Sequence, residues 1–356
     1  MKNKEYKSSV PLYVTLFSML VLTIVLIVFM FVRVDANDNS FESTNTAMGT
    51  YVHQTVYSNN GEQIVSKAME DIYNLENLIS WRIDTSDIAK VNKNSGDNWV
   101  DIDPKTSGIL SKSLEVSKKS MGALDVTILP VSLLWGFDTN DTRVPGDKEI
   151  QENLKNVNYK SLKVNLDVNR AKLFKENMGI NLGAVGKGAA CDEVVSRYKK
   201  EGAKSGIVAI GGSIGVFGTK PNKADWRIAI RDPFKGQDSS DSMAIIPIKS
   251  GYVSTSGAYE KNFYSDGEFY HHILDPKTGY PSKSDLASVT VWSDSGLLSD
   301  LLSTACFVLG RNNSLELLKY YNASAVFIDN DKRVFVTDGL KDNVIITNQE
   351  YVINQW

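Results

Sequence analysis

Hydrophobic and polar positions change their spacing several times along the chain, and each change marks an element. Residues 10–32 (VPLYVTLFSMLVLTIVLIVFMFV) carry no charge and show no polar face. Segments 62–79 and 106–120 place apolar residues three and four apart, which predicts helices, and the same spacing returns at 188–200, 295–309 and 313–321. Runs at 207–217, 225–231, 244–248 and 286–292 alternate or are rich in β-branched residues and predict strands. Hairpin-like pairs are interleaved with helices, so the expected class is α+β, mixed sheets with flanking helices, instead of a βαβ array. Between 33 and 45 (RVDANDNSFESTN) the periodicity vanishes and polar residues dominate, as expected of a linker. No repeat or compositional break follows, so residues 46–356 are expected to form one domain.

As a helix rising ~1.5 Å per residue, the 10–32 run is roughly 34 Å long, enough for a hydrocarbon core of ~30 Å. Lys2, Lys4 and Lys7 in the preceding tail, residues 1–9, favour a cytoplasmic N-terminus and place the rest of the chain outside. A signal-peptide core is normally about 7–15 residues, so an uncleaved single-pass anchor is expected. Cleavage is the alternative, with Val34-Asp35-Ala36 as a poor processing site. A net charge of −3 and the absence of a basic stripe argue against nucleic-acid binding. Cys191 and Cys306 are too few for a disulfide framework, and their apolar helical surroundings predict buried free thiols. Without a CxxC or Cys/His cluster, no structural zinc site is expected.

Four stretches carry candidate chemistry. Residues 180–192 (INLGAVGKGAACD) look like a phosphate loop but fail the Walker A pattern: Asn181 stands where glycine is required, and Gly188 follows Lys187 where a hydroxyl is required. Gly183, Gly186 and Gly188 still permit close backbone approach, and Lys187 can neutralise a phosphate at a helix start. A tight strand-to-helix turn with a surface lysine explains the same residues equally well. Asp125 lies in the apolar run 122–137 (GALDVTILPVSLLWGF), where a helix N-cap is the simpler reading. His271 and His272 are two of only three histidines, and are either structural or a base for a hydroxyl nucleophile. Asp300 and Thr304 share one face of an apolar helix. Two hard oxygen donors there suit Mg²⁺; alternatively, Thr304 bonds back to its own helix and Asp300 lies at a wet edge.

The order of these motifs is more specific than any one of them. AMGT (47–50), SWRIDTSDIAKVN (80–92), GALDVT, NLGAVGKGAACD, AIGGSIGVFG, WRIAIRDP, TSGAYEKNF, HHILDPKTGYP, LASVTV and SDLLSTACFVLG follow one another as in the FAD:protein FMN transferases, the ApbE-like family, which residues 46–330 closely resemble. The resemblance implies a single ApbE-like, T-fold-related domain. It implies Mg²⁺-dependent transfer of FMN from FAD to a threonine or serine of a partner flavoprotein, with AMP leaving. It further implies that Ala184 (through its carbonyl), Asp300 and Thr304 hold the metal. Met48, Trp81, Ala123, Leu124 and Asp125 would contact the flavin, Asn181 would hydrogen-bond the flavin edge, Lys187 would touch the flavin nucleotide, and Leu274 would contact the nucleotide. His272 would deprotonate the acceptor hydroxyl.

Three positions depart from the commonest family pattern. Asn181 stands where aspartate is frequent, Ser213 where an acid or amide is frequent, and Ala189 where tyrosine is common; none removes an implied metal ligand. Two other functions are compatible with the motifs: an FAD pyrophosphatase that uses water as acceptor, and a non-catalytic flavin-binding module.

Overall fold

The computed structural model describes residues 39–356, except 138, 140, 237 and 238. The basic tail 1–9, the apolar run 10–32 and the start of the 33–45 linker lie outside the described residues. Among the described residues no helix is long and apolar enough to cross a membrane.

A nine-stranded sheet forms the centre, and its strands lie side by side in chain order. They are β1 (Ser40–Ala47), β2 (Thr50–Tyr57), β3 (Ser205–Ile210), β4 (Ser213–Phe217), β5 (Gly251–Gly257), β6 (Leu286–Ser293), β7 (Ser324–Asp329), β8 (Arg333–Val336) and β9 (Val352–Ile353). All neighbours are antiparallel except β8 and β9, which run parallel. Strand β1 corrects the linker assignment at its end: residues 40–45 pair with β2 residue by residue. Its side chains are mostly polar and partly exposed, as on an edge strand, so no apolar alternation announced it. The 207–217 run divides into two strands at Gly211-Gly212, where Gly211 takes a positive φ of 54°.

The helices are α1 (Gly61–Ile79), α2 (Asp87–Lys93), α3 (Pro104–Lys119), α4 (Leu129–Trp135), α5 (Asp147–Leu154), α6 (Gly186–Lys200), α7 (Gly296–Leu309) and α8 (Arg311–Tyr320). Strand β7 shows how the sheet is covered on both sides. Ala325 and Phe327 join the core beneath α1, α6 and α7, whereas Val326 and Ile328 join a second core with Trp226, Ile228 and Ile246. The period of two along a strand sends alternate residues to opposite faces, and here both faces are dry. Trp226–Arg231 and Ser242–Ile248 form the hairpin that supplies this second core, extended by Ile345–Ile346. Val100–Asp101, Leu162–Asn165 and Arg170–Leu173 form a third sheet, and the Asn262–Ser265 and Glu268–His271 strands a separate hairpin. That hairpin seats Phe263 and Tyr270 against Trp135 and Phe137 in a small aromatic core.

Helices α6 and α7 cross with almost no side chain between them. A Cβ on Gly188 would lie 2.1 Å from the Gly296 carbonyl oxygen, and one on Gly296 would lie 2.2 Å from that of Gly188. Glycine at both positions is therefore a condition of the contact. Helix α7 in turn lies on β5 through small hydroxyls: Ser254 with Ser299 and Ser256 with Ser303, both at 2.9 Å.

Candidate active site

The first turns of α6 and α7 bring the candidate residues of two distant motifs together. Asp300, on α7, accepts the Gly188 N–H of α6 at 2.8 Å. Burial pushes its carboxyl up, partly offset by the Lys187 charge, the Gly188 N–H and a hydrogen bond from Ser213. Asp300 is buried, so the wet-edge reading does not hold. One turn on, the Thr304 hydroxyl lies 3.3 Å from the Ser256 hydroxyl on β5, a partner outside its own helix.

The loop before α6 is fixed on both sides. Asn92 accepts the Ile180 N–H at 2.6 Å and donates to the Ile180 carbonyl at 3.0 Å. Asn181 donates its backbone N–H to Val126, and its side-chain oxygen accepts the Gly183 N–H at 2.8 Å. The Lys187 ammonium donates to the Gly183 carbonyl at 3.2 Å. Met48 occupies a positive φ of 51° in the β1–β2 turn, followed by Gly49 at 71°, as a tight type I′ hairpin requires. A Cβ on Gly186 would lie 4.0 Å from the Met48 sulfur, which locates the turn above the start of α6.

Asp125 is not the N-cap of α4, since Ile128 occupies that position and caps nothing through its side chain. Its carboxylate accepts the Thr127 N–H at 2.8 Å, the Thr127 hydroxyl at 2.6 Å and the Tyr159 N–H at 2.8 Å. The apolar run thus needed a local staple between two loops. Burial still pushes this carboxyl up, against the Thr127 and Tyr159 hydrogen bonds.

The adjacent histidines have separate fates. His271 is buried edge-on against Phe307, with Nε2 3.1 Å from the Ser282 carbonyl, and burial lowers its pKa. His272 is half-buried, donates its backbone N–H to Lys261 at 3.0 Å and lines a cavity. Both cysteines are free and buried, as their surroundings predict.

Two cavities flank the 181–187 loop. One, of about 180 Å³, is lined by Ala123, Leu124, Asp125, Ala184, His272, Leu274, Asp300 and Thr304, among others. The other, of about 510 Å³, is lined by Met48, Ile79, Trp81, Arg82 and Gly186, among others. Asn181, Gly183, Lys187 and Lys261 belong to both, which makes one cleft with a waist. Every residue assigned from the family resemblance lies on this cleft, although the residues assigned to the flavin divide between its two halves. Glu260 and Lys261 line it without having been singled out, although they lie in the TSGAYEKNF motif. The partly buried Glu260 carboxyl is pushed up by burial and drawn back by Lys187 and Lys261. Only its proximity to Lys187 and Asp300, across the fold, distinguishes it from any other glutamate in a turn.

No group of three or more histidine, cysteine or acidic side chains able to hold a metal occurs among the described residues. The donors near the waist are instead the carboxylates of Asp300 and Glu260, the hydroxyls of Thr304 and Ser256, and backbone carbonyls. That set is hard and oxygen-only, and it fits a cation that completes its shell from water and substrate phosphates.

A sequence model of the ApbE family matches residues 48–328. The FAD:protein FMN transferase of Treponema pallidum is 29% identical over 338 residues, 90% of this chain and 93% of that protein. The FAD:protein FMN transferase of Haemophilus influenzae is 30% identical, over 71% of this chain and 74% of its own. Among solved structures, an ApbE protein of Thermotoga maritima superposes with a TM-score of 0.79 at 31% identity, covering 86% of this chain and 99% of that one. The apo flavinyl transferase ApbE of Pseudomonas stutzeri gives 0.76 at 27% identity, covering 86% and 97%.

Proposed function

The chain belongs to the ApbE family, and from that membership and the waisted cleft we infer that it is a transferase that moves FMN from FAD to a protein. The observation that carries this reading is the shared lining: Asn181, Gly183, Lys187 and Lys261 border both halves of a cleft whose other walls are separate. FAD is itself two groups joined by a pyrophosphate. The isoalloxazine ring belongs in the wider half, where Trp81 offers an aromatic surface. The adenosine then lies in the narrower half, beside Ala123, Leu124, Asp125 and Leu274, and the pyrophosphate crosses the waist. On this reading the 123–125 segment contacts the nucleotide end instead of the ring.

The chemistry follows from what lines the waist. An acceptor hydroxyl, from threonine or serine, gives its proton to the His272 ring and its oxygen bonds the FMN phosphorus. The bond from that phosphorus to the bridging oxygen breaks, and AMP leaves with the electron pair. Such a reaction depends on alignment and on neutralising phosphate charge more than on covalent help from the enzyme. Lys187, at the start of α6, supplies one fixed positive charge. Asp300, Thr304 and the Ala184 carbonyl would hold Mg²⁺, which supplies charge neutralisation on the pyrophosphate when bound. Asp300 is suited to a cation, because its buried carboxyl lines the cleft and, among the described residues, has only the Gly188 N–H and the Ser213 hydroxyl as protein hydrogen-bond donors.

Mass spectrometry of an acceptor flavoprotein after incubation with this enzyme, FAD and Mg²⁺ tests the assignment. An FMN mass on a threonine or serine is expected; free FMN and AMP with unlabelled acceptor would identify a pyrophosphatase instead. Residues 10–32 support a single-pass anchor with the domain outside the cell. Intact cells treated with an impermeant protease should lose the domain; protection of the domain would refute that placement.

A further inference from the structure

Among the described residues, Asn181, Gly183, Lys187 and Lys261 are the only ones that line both halves of the cleft. Asn181 spends its side-chain oxygen on the Gly183 N–H, and Gly183 has no side chain. What remains at the waist is two cations from different parts of the chain. Lys187 rises from the first turn of α6, whereas Lys261 comes from the turn between β5 and the 262–271 hairpin.

That turn is tightly held. The Asn262 amide donates to the carbonyls of Ala258 at 3.2 Å and Tyr259 at 3.0 Å. The Lys261 carbonyl accepts the His272 N–H at 3.0 Å, which continues the hairpin ladder by one pair. The backbone of Lys261 is therefore fixed to that of His272, while its side chain is exposed at the rim. A ligand that passes from one half of the cleft to the other must pass both lysines. In FAD the part that passes is the only anionic part of the molecule.

We propose that Lys261 is a second pyrophosphate-binding cation: at the waist it neutralises the diphosphate together with Lys187 and holds the FMN phosphorus in register with His272. The proposal rests on the reading that FAD spans both halves. It also gives the motif residues TSGAYEKNF a purpose beyond the turn they form. A lysine placed by backbone pairing to the proposed base couples the position of the anion to that of the proton acceptor.

Riboflavin provides the control, since it carries the ring but no phosphate. With the full-length protein in detergent and Mg²⁺, flavin affinities of wild type, Lys261→Gln and Lys261→Arg are measured by fluorescence. Lys261→Gln should weaken FAD binding by about tenfold, as loss of one charge-assisted contact does, with riboflavin affinity changed less than about twofold. Lys261→Arg should recover most of the loss, because the charge is kept. Equal losses for FAD and riboflavin in Lys261→Gln, or none for either, would overturn the proposal while leaving the two-half reading intact. If wild type binds FAD no more tightly than riboflavin, the two-half reading fails, and the role of Lys261 fails with it.

Discussion

The starts of α6 and α7 are held by the same device applied in both directions, yet only one of them faces the cleft. Asp192 on α6 accepts the Gly296 and Leu297 N–H groups at 2.8 Å and the Ser295 hydroxyl at 3.0 Å, closing the start of α7. Asp300 on α7 accepts the Gly188 N–H of α6 and lines the cleft beside Lys187. Burial pushes both carboxyls up; Asp192 is drawn back by Leu297, Gly296, Ser295 and Tyr252, and Asp300 by Lys187, Gly188 and Ser213. The first carboxylate is saturated by the protein, whereas the second retains capacity for a ligand. A buried acid reports function through the bonds it leaves unmade, since a satisfied one is already explained by stability.

Exchanging the two acids is the strongest way to break this contrast. Asp300→Asn keeps the size and can still accept from Gly188, so the fold should survive. FMN transfer should fall by at least about a thousandfold, the equivalent of roughly 4 kcal/mol of transition-state stabilisation. Asp192→Asn should do the reverse: about 2 kcal/mol less stability in urea, with transfer by the folded fraction nearly unchanged. If Asp192→Asn stopped transfer without loss of stability, the division of roles would be wrong.

His271 and His272 give the contrast a second form. His272→Ala should lower transfer by roughly 10²- to 10⁴-fold, as removal of a general base does. Near-normal transfer by that variant across the neutral range would send the search for the base elsewhere. At the crossing itself, Gly188→Ala drives a methyl into the Gly296 carbonyl, and about 2–3 kcal/mol of stability should be lost in a urea titration. An alanine tolerated there would mean that the helices separate easily and that the close approach has no structural purpose.

The smallest effect concerns pH. Burial depresses the His271 pKa below its usual 6.5, so the unfolded chain binds the proton more readily than the folded one. The resulting stability is complete above 6.5 and is lost as pH falls through the folded value. Melting temperature should therefore drop on the acid side of neutrality, and His271→Leu should flatten that slope. An unchanged slope would assign the acid sensitivity to the carboxylates.

The sequence exposes α1, α3, α6, α7 and α8, strands β3, β4 and β6 and the 226–248 hairpin, because their apolar spacing is regular. It hides β1, whose polar side chains are compatible with a linker until β2 and its hydrogen-bonding edge are present. It misreads Asp125, because a cap and a staple between loops look alike until Tyr159 is brought alongside. The candidate residues were legible as an ordered set of family motifs, and their chemistry as an oxygen-donor, lysine and histidine inventory. Glu260 and Lys261 carried no such signal, since glutamate and lysine in a turn are ordinarily solvent-facing.

By itself, then, the sequence determined the longest helices and the most regular strands, which family they compose and which functional groups the chain can offer. Tertiary structure supplied the surroundings: it seats His271 against Phe307 and His272 on the cleft, gives Asp192 more protein partners than Asp300, and brings Lys261 to the same waist as Lys187. The physical reason is range. Periodicity and local propensity act over a few residues, while the Asp300–Gly188 contact joins positions 112 apart. Whether a side chain is a ligand or a brace depends on what the fold brings to it.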